Sequence, residues 1–332
     1  NVEAMKAIVV REPGGPVVLT VTSVEDPAPP NPGEILVRVH ATAVNRADLL
    51  QRMGRYPAPA GVPANILGLE YAGEVVAAGE GTSDFCTGDR VYGLVGGGSY
   101  AEYVVVHAAT AARIPDGLSY AEAATIPEAY LTAYDAMVIQ AGLAAGECAL
   151  IHAVGSGVGI AALRIAKARG STTVGTARTN AKLERAKLLG LDEAICVRDA
   201  RFAGDVKTLT EGRGANVVLD LVGGPYVPES LVALALQGRI AVVGLLAGAR
   251  AEIDLGLLLR KRARIFGTVL RARGLGERCT LGELLRNEIA ALVASGAALP
   301  EIDRTFALDD AAEAHAYVGR DESFGKVVLV VA

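Results

Sequence analysis

The sequence lacks the features of a secreted, membrane-bound or nucleic-acid-binding protein. Its four cysteines are widely spaced and form no C-x-x-C pair, so we expect free thiols in a reducing compartment. The formal net charge of −5 gives no general attraction to nucleic acid or to an anionic membrane. No run of about 18 uncharged apolar residues occurs, and the N-terminus lacks the basic and apolar regions of a signal peptide. These absences favour a cytoplasmic protein without nucleic-acid or membrane partners.

The length and patterning of the chain predict two domains. At 332 residues the chain exceeds the size of one ordinary hydrophobic core. Up to about residue 125, short strand-like runs at 6–10, 34–44, 70–78, 90–94 and 100–106 alternate with Gly- and Pro-rich clusters, which is typical of a bent β-barrel-like domain. From about residue 126, a buried strand beginning at Cys148 and strand-like runs at 172–177, 194–197, 216–222 and 239–243 alternate with helical stretches, which predicts a parallel sheet with helices on both faces. After Arg271 the pattern is mixed, with helices expected near 281–295 and 309–317 and a final strand at 326–331.

A glycine-rich turn follows the first strand of the α/β part. It consists of Gly155, Ser156, Gly157, Val158 and Gly159, and an amphipathic helix follows it. Glycines let a diphosphate approach the backbone, and the N–H groups at the helix N-terminus attract it. The spacing of Gly157, Gly159 and Ala162 matches a dinucleotide fingerprint that ends in alanine, whereas a frame that starts at Val154 fits only with Ser156 and Gly159. The alternative is a tight strand-to-helix turn without a ligand.

The end of the second strand of this part indicates which dinucleotide binds. Ala177 stands near the position where NAD enzymes carry an acid for the ribose 2′-hydroxyl. Arg178 and Lys182, one helical turn apart, are placed to flank a 2′-phosphate, and Thr179 to donate a hydrogen bond to it. Two ordinary basic residues on a helix surface are the alternative. The missing acid favours NADPH as the cofactor.

Seven stretches of the chain resemble the medium-chain dehydrogenase/reductase superfamily. The similarity is strongest to its zinc-free quinone oxidoreductases related to zeta-crystallin, of the stress-inducible NADPH-dependent type, and it runs from residue 5 to residue 330. The stretches are AVNRAD at 43–48, ILGLEYAG at 66–73, GDRV at 88–91, ATIPEAYLTA at 124–133, the turn at 155–159, LDLVG at 219–223 and GKVVL at 325–329. The resemblance implies an α/β fold, with a Rossmann-type doubly wound parallel sheet (128–267) inserted into a bent β-barrel-like (GroES-like) catalytic domain (1–127 and 268–332). It also implies a cleft for nicotinamide and acceptor.

The resemblance also bears on metal binding. Zinc alcohol dehydrogenases of this superfamily hold a catalytic zinc with Cys, His and an acidic residue. Here the cysteine position carries Asn45, the histidine position carries Leu69, and the Cys-rich lobe of the second zinc is missing. Neither side chain replaces a thiolate or an imidazole on Zn²⁺, so we expect no metal. Hydride addition without a Lewis acid favours a quinone or a similar electron-poor acceptor, because its anionic product is comparatively stable.

The implied catalytic residues are Tyr56, Asn45 and Asp48. Tyr56 would stack on a quinone or relay a proton, Asn45 would bind the nicotinamide ribose or an acceptor oxygen, and Asp48 would orient it. A half-buried loop aromatic is the alternative for Tyr56, and a helix cap is the alternative for Asp48. The implied cofactor-binding residues are Asn45, Thr132, Gly155, Ser156, Gly157, Val158, Gly159, Arg178, Thr179, Lys182, Gly244, Leu245, Val269, Leu270 and Lys326.

Two of these positions leave an alternative open, and a third position, Val197, departs from the family pattern. A helix N-terminal cap is the alternative for the segment before Thr132, and a solvated lysine is the alternative for Lys326. Related proteins often carry a cofactor-contacting tyrosine at the position of Val197.

Three functional hypotheses follow. The leading one is an NADPH-dependent quinone oxidoreductase that transfers hydride without a metal. The second is an NADPH-dependent reductase of the C=C bond of an enone or enoyl thioester, and the third is an NADPH-binding structural or regulatory protein with little turnover. Related proteins are homodimers that join their cofactor-domain sheets edge to edge, and the apolar run 265–270 is a candidate edge strand.

Overall fold

The computed structural model describes residues 4–331, so the ends of the expected catalytic domain, residues 1–3 and 332, lie outside the described residues. Its strands are β1 (Ala4–Val10), β2 (Leu19–Glu25), β3 (Glu34–Val44), β4 (Glu70–Ala78), β5 (Arg90–Leu94), β6 (Tyr103–His107), β7 (Ala111–Arg113), β8 (Cys148–Ile151), β9 (Thr172–Ala177), β10 (Glu193–Cys196), β11 (Ala215–Asp220), β12 (Leu234–Val242), β13 (Arg264–Gly267), β14 (Ile302–Ala307) and β15 (Lys326–Val330). Its α-helices are α1 (Arg46–Arg52), α2 (Tyr120–Ala123), α3 (Pro127–Tyr134), α4 (Gly157–Ala168), α5 (Asn180–Leu188), α6 (Ala203–Leu209), α7 (Tyr226–Ala233), α8 (Leu255–Lys261), α9 (Leu275–Leu284), α10 (Ala290–Ala294) and α11 (Ala311–Gly319). Residues 135–140 and 285–289 are π-helical.

By internal packing the chain separates into two units. The first contains the residues up to 131, residues 270–295 and the residues from 300 onwards, and the second contains residues 132–269 and 296–299. The sequence placed the limits after residues 127 and 267, a few residues earlier, and it placed 296–299 with the catalytic part. The assignment of functional domains along those limits stays a prediction.

The second unit contains a six-stranded parallel sheet. Its strand order is β10-β9-β8-β11-β12-β13, and each neighbouring pair is parallel. Every residue of β8 is buried, as a strand covered on both faces requires. The strand order reverses between β8 and β11, and ligands of such sheets bind beyond the strand ends at this point. The predicted doubly wound sheet is therefore confirmed, and the glycine turn follows β8 at the reversal.

The first unit contains a two-stranded sheet, β1-β2, and a seven-stranded sheet. The larger sheet has the order β14-β15-β3-β4-β5-β7, and β6 also pairs with β3. Strand β15 runs antiparallel to β3, with Val327 opposite Val44 and Val330 opposite Ala41. The C-terminal part of the chain thus returns to the N-terminal sheet, as the sequence predicted. This pairing brings the first residues of β4 and β15 close to the last residues of β3.

Strand β13 lies at the edge of the six-stranded sheet. Its pairing with β12 ends at Gly267, not at Leu270 as expected, because the chain then turns and the N–H of Arg273 donates to the carbonyl of Leu270 (3.1 Å). Within the described residues β13 pairs on one side only, and Ile265 and Phe266 are half-buried. An apolar edge of this kind favours pairing with a second copy.

We expect a homodimer that joins through this edge. Light scattering at micromolar concentration should give twice the chain mass, and Ile265→Lys should shift the protein towards monomer because a buried lysine at the joint loses its hydration. Leu188→Lys is the matched control, since Leu188 lies on a helix of the same unit and is 86% exposed. A monomer before any substitution contradicts the prediction.

Candidate active site and cofactor-binding turn

A buried ionic cluster lies where three neighbouring strands of the first unit meet. Asn45 follows the last residue of β3, Glu70 begins β4, and Lys326 begins β15. The Nζ of Lys326 donates to Oδ1 of Asn45 and to Oε1 of Glu70, both at 2.6 Å, and Nδ2 of Asn45 donates to the same Glu70 oxygen at 2.8 Å. Glu70 is fully buried and Lys326 is 6% exposed. Each charge is therefore stabilised mainly by the other, because neither is solvated by water.

Glu128, in the first turn of α3, lies beside this cluster. Its backbone N–H donates to Oε2 of Glu70 at 2.8 Å. Burial, followed by the charge of Glu70, raises the pKa of the Glu128 carboxyl to about 8, although Lys326 and Arg271 act in the opposite direction. A carboxyl group that retains its proton at neutral pH is a candidate proton donor. No motif in the sequence marks this residue as a proton donor.

Asp48 is fully buried in the first turn of α1 and forms a capping box with Asn45. Its Oδ2 accepts from the backbone N–H of Asn45 (2.8 Å), and its Oδ1 accepts from the N–H of Gly68 (3.1 Å). Burial raises the pKa of Asp48 to about 6 against these two hydrogen bonds. The helix cap that the sequence offered as the alternative role of Asp48 is therefore present. Through its hydrogen bond with the backbone N–H, Asp48 orients Asn45. Direct participation of Asp48 in catalysis stays a prediction.

A chain of hydrogen-bonded, buried side chains ends at Asp48. Nη1 of Arg52 lies 3.3 Å from Nδ1 of His315, and Nε2 of His315 lies 3.0 Å from the Tyr100 hydroxyl. An arginine only donates, so Nδ1 accepts, Nε2 carries the proton, and the Tyr100 hydroxyl is left to donate to Asp48 (3.4 Å). Burial, followed by the charge of Arg52, lowers the pKa of His315 to about 3, which keeps the ring neutral. No spacing in the sequence reveals this contact across 263 positions.

Tyr56 and Arg271 form a second feature of the same unit. The guanidinium carbon of Arg271 lies 5.2 Å from the centre of the half-buried Tyr56 ring. Arg271 donates from Nε to the carbonyl of Gly96 (2.7 Å) and from Nη2 to Oε1 of Gln51 (2.6 Å), and it is 6% exposed. Burial raises the pKa of Tyr56, while Arg271 opposes that rise. The expected catalytic tyrosine thus lies against a buried cation.

In the second unit, the glycine turn connects β8 to α4. Ser156 caps the helix, and its Oγ accepts from the N–H of Gly159 at 3.0 Å. A Cβ at Gly159 would lie 2.5 Å from the carbonyl oxygen of Ala153 and 2.8 Å from Cα of Val154. The helix N-terminus therefore packs directly against the end of the strand, and this close approach requires a residue without a Cβ at position 159. Gly155, Gly157 and Val158 lie in this same turn and first helical turn, so the residues fit a dinucleotide diphosphate.

The remaining cofactor candidates of the second unit lie in several environments. Ala177 ends β9 and is buried, whereas Arg178 is exposed. Thr179 is at the N-cap of α5 without a side-chain capping bond, and Lys182 is in the first turn of that helix. A contact of these residues with a 2′-phosphate stays a prediction. Thr132 is 6% exposed, Leu245 is 55% exposed and Val269 is 52% exposed. Gly244 lies so close to Leu221 that a Cβ would be 2.4 Å from its carbonyl oxygen, and Val197 is buried.

Besides Asn45, two of the cofactor candidates belong to the first unit. Leu270 is 5% exposed, and the ammonium group of Lys326 is held by Asn45 and Glu70. The alternative of a solvated lysine is therefore wrong for Lys326, and its contact with a cofactor stays a prediction.

The raised pKa of Glu128 predicts how stability varies with pH. The folded state retains a proton that the unfolded chain loses near the ordinary pKa of 4.5. The contribution of Glu128 to stability is therefore complete below that pH and is lost as the pH rises through about 8. Glu128→Gln should become more stable relative to the unmutated protein between these pH values, as measured by denaturant unfolding. The raised pKa of Asp48 also makes the protein less stable as the pH rises, but at lower pH. Asp48 is present in both proteins, so its effect cancels when their free energies of unfolding are compared. A constant difference across this range contradicts the assignment.

The described residues add two further observations. Between residues 4 and 331 no group of three or more His, Cys, Asp or Glu side chains is arranged to hold a metal ion. No helix in this range is long and apolar enough to cross a membrane.

The chain matches two domain models of known protein families, and it matches solved structures over nearly the whole length of their chains. The model described as "Alcohol dehydrogenase GroES-like domain" matches residues 31–116, and the one described as "Zinc-binding dehydrogenase" matches residues 157–285. A quinone oxidoreductase of Pseudomonas syringae pv. Tomato DC3000 is 31% identical, with a TM-score of 0.88 and coverage of 98% of this chain and 99% of that one. JamJ enoyl reductase is 25% identical, with a TM-score of 0.88 and coverage of 99% and 100%.

A curated relative differs in length. A mycocerosic acid synthase-like polyketide synthase of Mycobacterium tuberculosis is 33% identical over 334 aligned residues, which cover all of this chain but only 16% of that protein. The chain therefore corresponds to a small part of this relative. The structural relatives, in contrast, match it from end to end. The chain belongs to the medium-chain dehydrogenase/reductase superfamily, whose members are oxidoreductases that use a nicotinamide cofactor.

Proposed function

We propose that the protein is an NADPH-dependent quinone oxidoreductase that works without a metal. The observation that carries the proposal is the half-buried ring of Tyr56, which is supported from one side by the buried guanidinium of Arg271. An aromatic surface beside a cation suits a flat, electron-poor ring, because such a ring stacks on tyrosine and gains negative charge during reduction. The likeness to a quinone oxidoreductase over nearly the whole chain supports the same acceptor class.

The residues of the second unit would hold the cofactor. The turn 155–159 would bind the diphosphate through the N-terminus of α4, and Arg178, Thr179 and Lys182 would bind the 2′-phosphate. A bound NADPH would supply the hydride. The chain's own groups would position the acceptor on Tyr56 and provide a proton from Glu128, from Tyr56 or from solvent.

The metal-free part of the proposal rests on the chemistry of the ionic cluster. The Asn45 side chain at the expected ligand position is a neutral amide, and both of its polar atoms are hydrogen-bonded within the cluster. Lys326 supplies the positive charge that Glu70 needs. A transition metal would have to displace this lysine and would meet neither a thiolate nor an imidazole.

Reduction of an enoyl C=C bond is the second candidate, and Glu128 favours it. An enolate needs a placed proton more than a hydroquinone anion does, and burial keeps the Glu128 carboxyl protonated at neutral pH. The polyketide synthase relatives and JamJ enoyl reductase support this acceptor class.

One assay separates the hypotheses. NADPH oxidation should be measured with ortho-quinones, para-quinones, enones and an enoyl thioester, with and without EDTA. We expect the highest kcat/KM with a quinone, no effect of EDTA, and little effect of Glu128→Gln on quinone turnover. Preference for the enoyl thioester, together with a large loss in Glu128→Gln, would establish the second candidate. Enhanced NADPH fluorescence without turnover of any acceptor would establish a binding protein.

The cofactor preference can be tested by itself. NADPH should bind more tightly than NADH by about 1–3 kcal/mol, because charge-assisted hydrogen bonds to the 2′-phosphate are absent with NADH. Replacing Arg178 and Lys182 together with Ala should remove most of the difference, measured by fluorescence titration with each nucleotide. Arg185→Ala is the control, since Arg185 lies in the last turn of the same helix. Equal affinities in the unmutated protein refute the preference.

A further inference from the structure

The Arg271 guanidinium is incompletely bonded in the described part of the chain. Its Nε and Nη2 donate to the neutral oxygens of Gly96 and Gln51, whereas Nη1 is buried and has no hydrogen-bond partner among residues 4–331. Desolvation lowers the pKa of the guanidinium, while nearby Asp48, Tyr56 and Glu128 raise it. A buried donor without an acceptor is costly, and this cost is easiest to explain where a ligand supplies the missing acceptor.

The surroundings of Nη1 indicate which ligand that is. Tyr56 lies against the guanidinium, and Glu128 carries a proton in the same part of the first unit. The three side chains offer an aromatic face, a cationic N–H donor and an acid. This combination suits a conjugated carbonyl compound whose oxygen becomes negative when hydride arrives.

We propose that Nη1 of Arg271 binds the carbonyl oxygen of the acceptor and stabilises the oxyanion formed on reduction. The inference rests on the proposed reductase function and names its electrostatic catalyst. As the hydride bonds to the acceptor, the C=O electron pair moves onto the oxygen, and that oxygen takes its proton from Glu128 or water. The reduced nicotinamide dinucleotide is the source of the hydride, and Arg271 donates a hydrogen bond without losing its own proton.

The Tyr56 ring has a second role in the binding of the acceptor. It lies on the guanidinium, so it must turn aside before an acceptor oxygen reaches Nη1. Tyr56 is half-buried in the loop after α1. Binding of an oxyanion at Nη1 therefore requires a rotation of this ring that exposes the donor and leaves the ring available for stacking. The acceptor thus replaces Tyr56 as the neighbour of the cation.

A binding experiment without nucleotide tests the donor directly. Para-nitrophenol serves as the probe, because its phenolate resembles the oxyanion and absorbs at longer wavelength than the phenol. The unmutated protein should bind the phenolate about tenfold to a hundredfold more tightly than the phenol, since a cation at close range favours the charged form. Arg271→Gln should lose this preference. Equal binding of the two forms by the unmutated protein overturns the proposal whether or not the protein reduces quinones.

A kinetic experiment separates catalysis from structure. Arg271→Gln should lower kcat/KM by about a hundredfold to a thousandfold, and the loss should grow as the quinones in the series become less electron-poor. Arg286→Gln is the control, because Arg286 is a half-buried arginine of the same unit that donates to the backbone carbonyls of Ala109 and Ala111. An equal loss for all quinones, with the phenolate preference intact, shows that Arg271 has only a structural role and overturns the proposal.

Arg271→Lys keeps the test decisive if Arg271→Gln fails to fold. A lysine retains the charge but not the planar fork, so it cannot bond Gly96, Gln51 and an acceptor oxygen in the same geometry. We expect this variant to melt cooperatively and to show a phenolate preference at least tenfold weaker than that of the unmutated protein. A folded Arg271→Lys variant with the original preference and the original kcat/KM contradicts the assignment.

Discussion

Lys326→Met is expected to destabilise the protein by about 3–5 kcal/mol, because it leaves the carboxylate of Glu70 buried without its cation. Glu70 is fully buried, and Lys326 is its ion-pair partner at 2.6 Å. Methionine fills a volume similar to that of the lysine stem, so the loss reports the charge more than the packing. Denaturant unfolding of the variant and the unmutated protein at neutral pH measures the difference.

Two comparisons make this result specific. In the double variant Lys326→Met/Glu70→Gln no charge is left unpaired, so much of the lost stability should return. Lys187→Met removes an exposed ion pair with Glu184, whose side chains are 46% and 67% exposed, and should cost less than about 1 kcal/mol. A loss for Lys326→Met no larger than that for Lys187→Met would show that the buried pair contributes little.

Gly159→Ala is expected to weaken NADPH binding and turnover. The added Cβ would lie 2.5 Å from a backbone oxygen, so α4 must move away from the end of β8. This displacement should cost about 1–3 kcal/mol of stability through overpacking. A shift of about 1 Å in the helix N-terminus should lower kcat/KM by about a hundredfold. Thermal unfolding with and without NADPH and steady-state turnover measure the two effects.

The matched control for this substitution is Gly204→Ala. Gly204 also lies in an α-helix of the second unit, but it is exposed and a Cβ there meets nothing within 4 Å. Alanine should therefore stabilise that helix by about 0.5–1 kcal/mol and leave NADPH binding unchanged. If both alanine variants bind NADPH as the unmutated protein does, the turn 155–159 is not the diphosphate site.

The sequence predicts most of the fold where local patterns are strong. The ranges of β3, β4, β5 and β9 are those expected, because each of these apolar or alternating runs has a glycine within two residues of at least one of its ends. Strands β2, β7 and β14 were missed. Three of the six residues of β14 are polar or charged and none of the six is buried, and β7 has only three residues, so neither strand carries a readable period. The sequence also set the start of β12 too late, because Gln237 and Gly238 interrupt its apolar pattern.

The candidate site could be predicted only in part. Asn45, Asp48, Tyr56 and the turn 155–159 follow from short motifs that resemble a family. Glu128 and Arg271 acquire their properties from burial beside residues far away in the sequence, and an isolated acid or base leaves no local signal. The same holds for His315, whose partners Tyr100 and Arg52 lie more than 200 positions away. Burial and long-range contacts, not residue type, decide these roles.

The place of Lys326 in strand β15 has a consequence for the order of folding. Its contact with Asn45 joins residues 281 positions apart, so the chain between them forms a very long loop until β15 pairs with β3. Contacts of such high sequence separation carry a large loop-closure entropy and are slow to form. Until they form, Glu70 has no cation and remains hydrated. We therefore expect refolding to proceed through an intermediate in which the parallel sheet of the second unit is complete while strand β15 has not yet paired with β3 in the first unit.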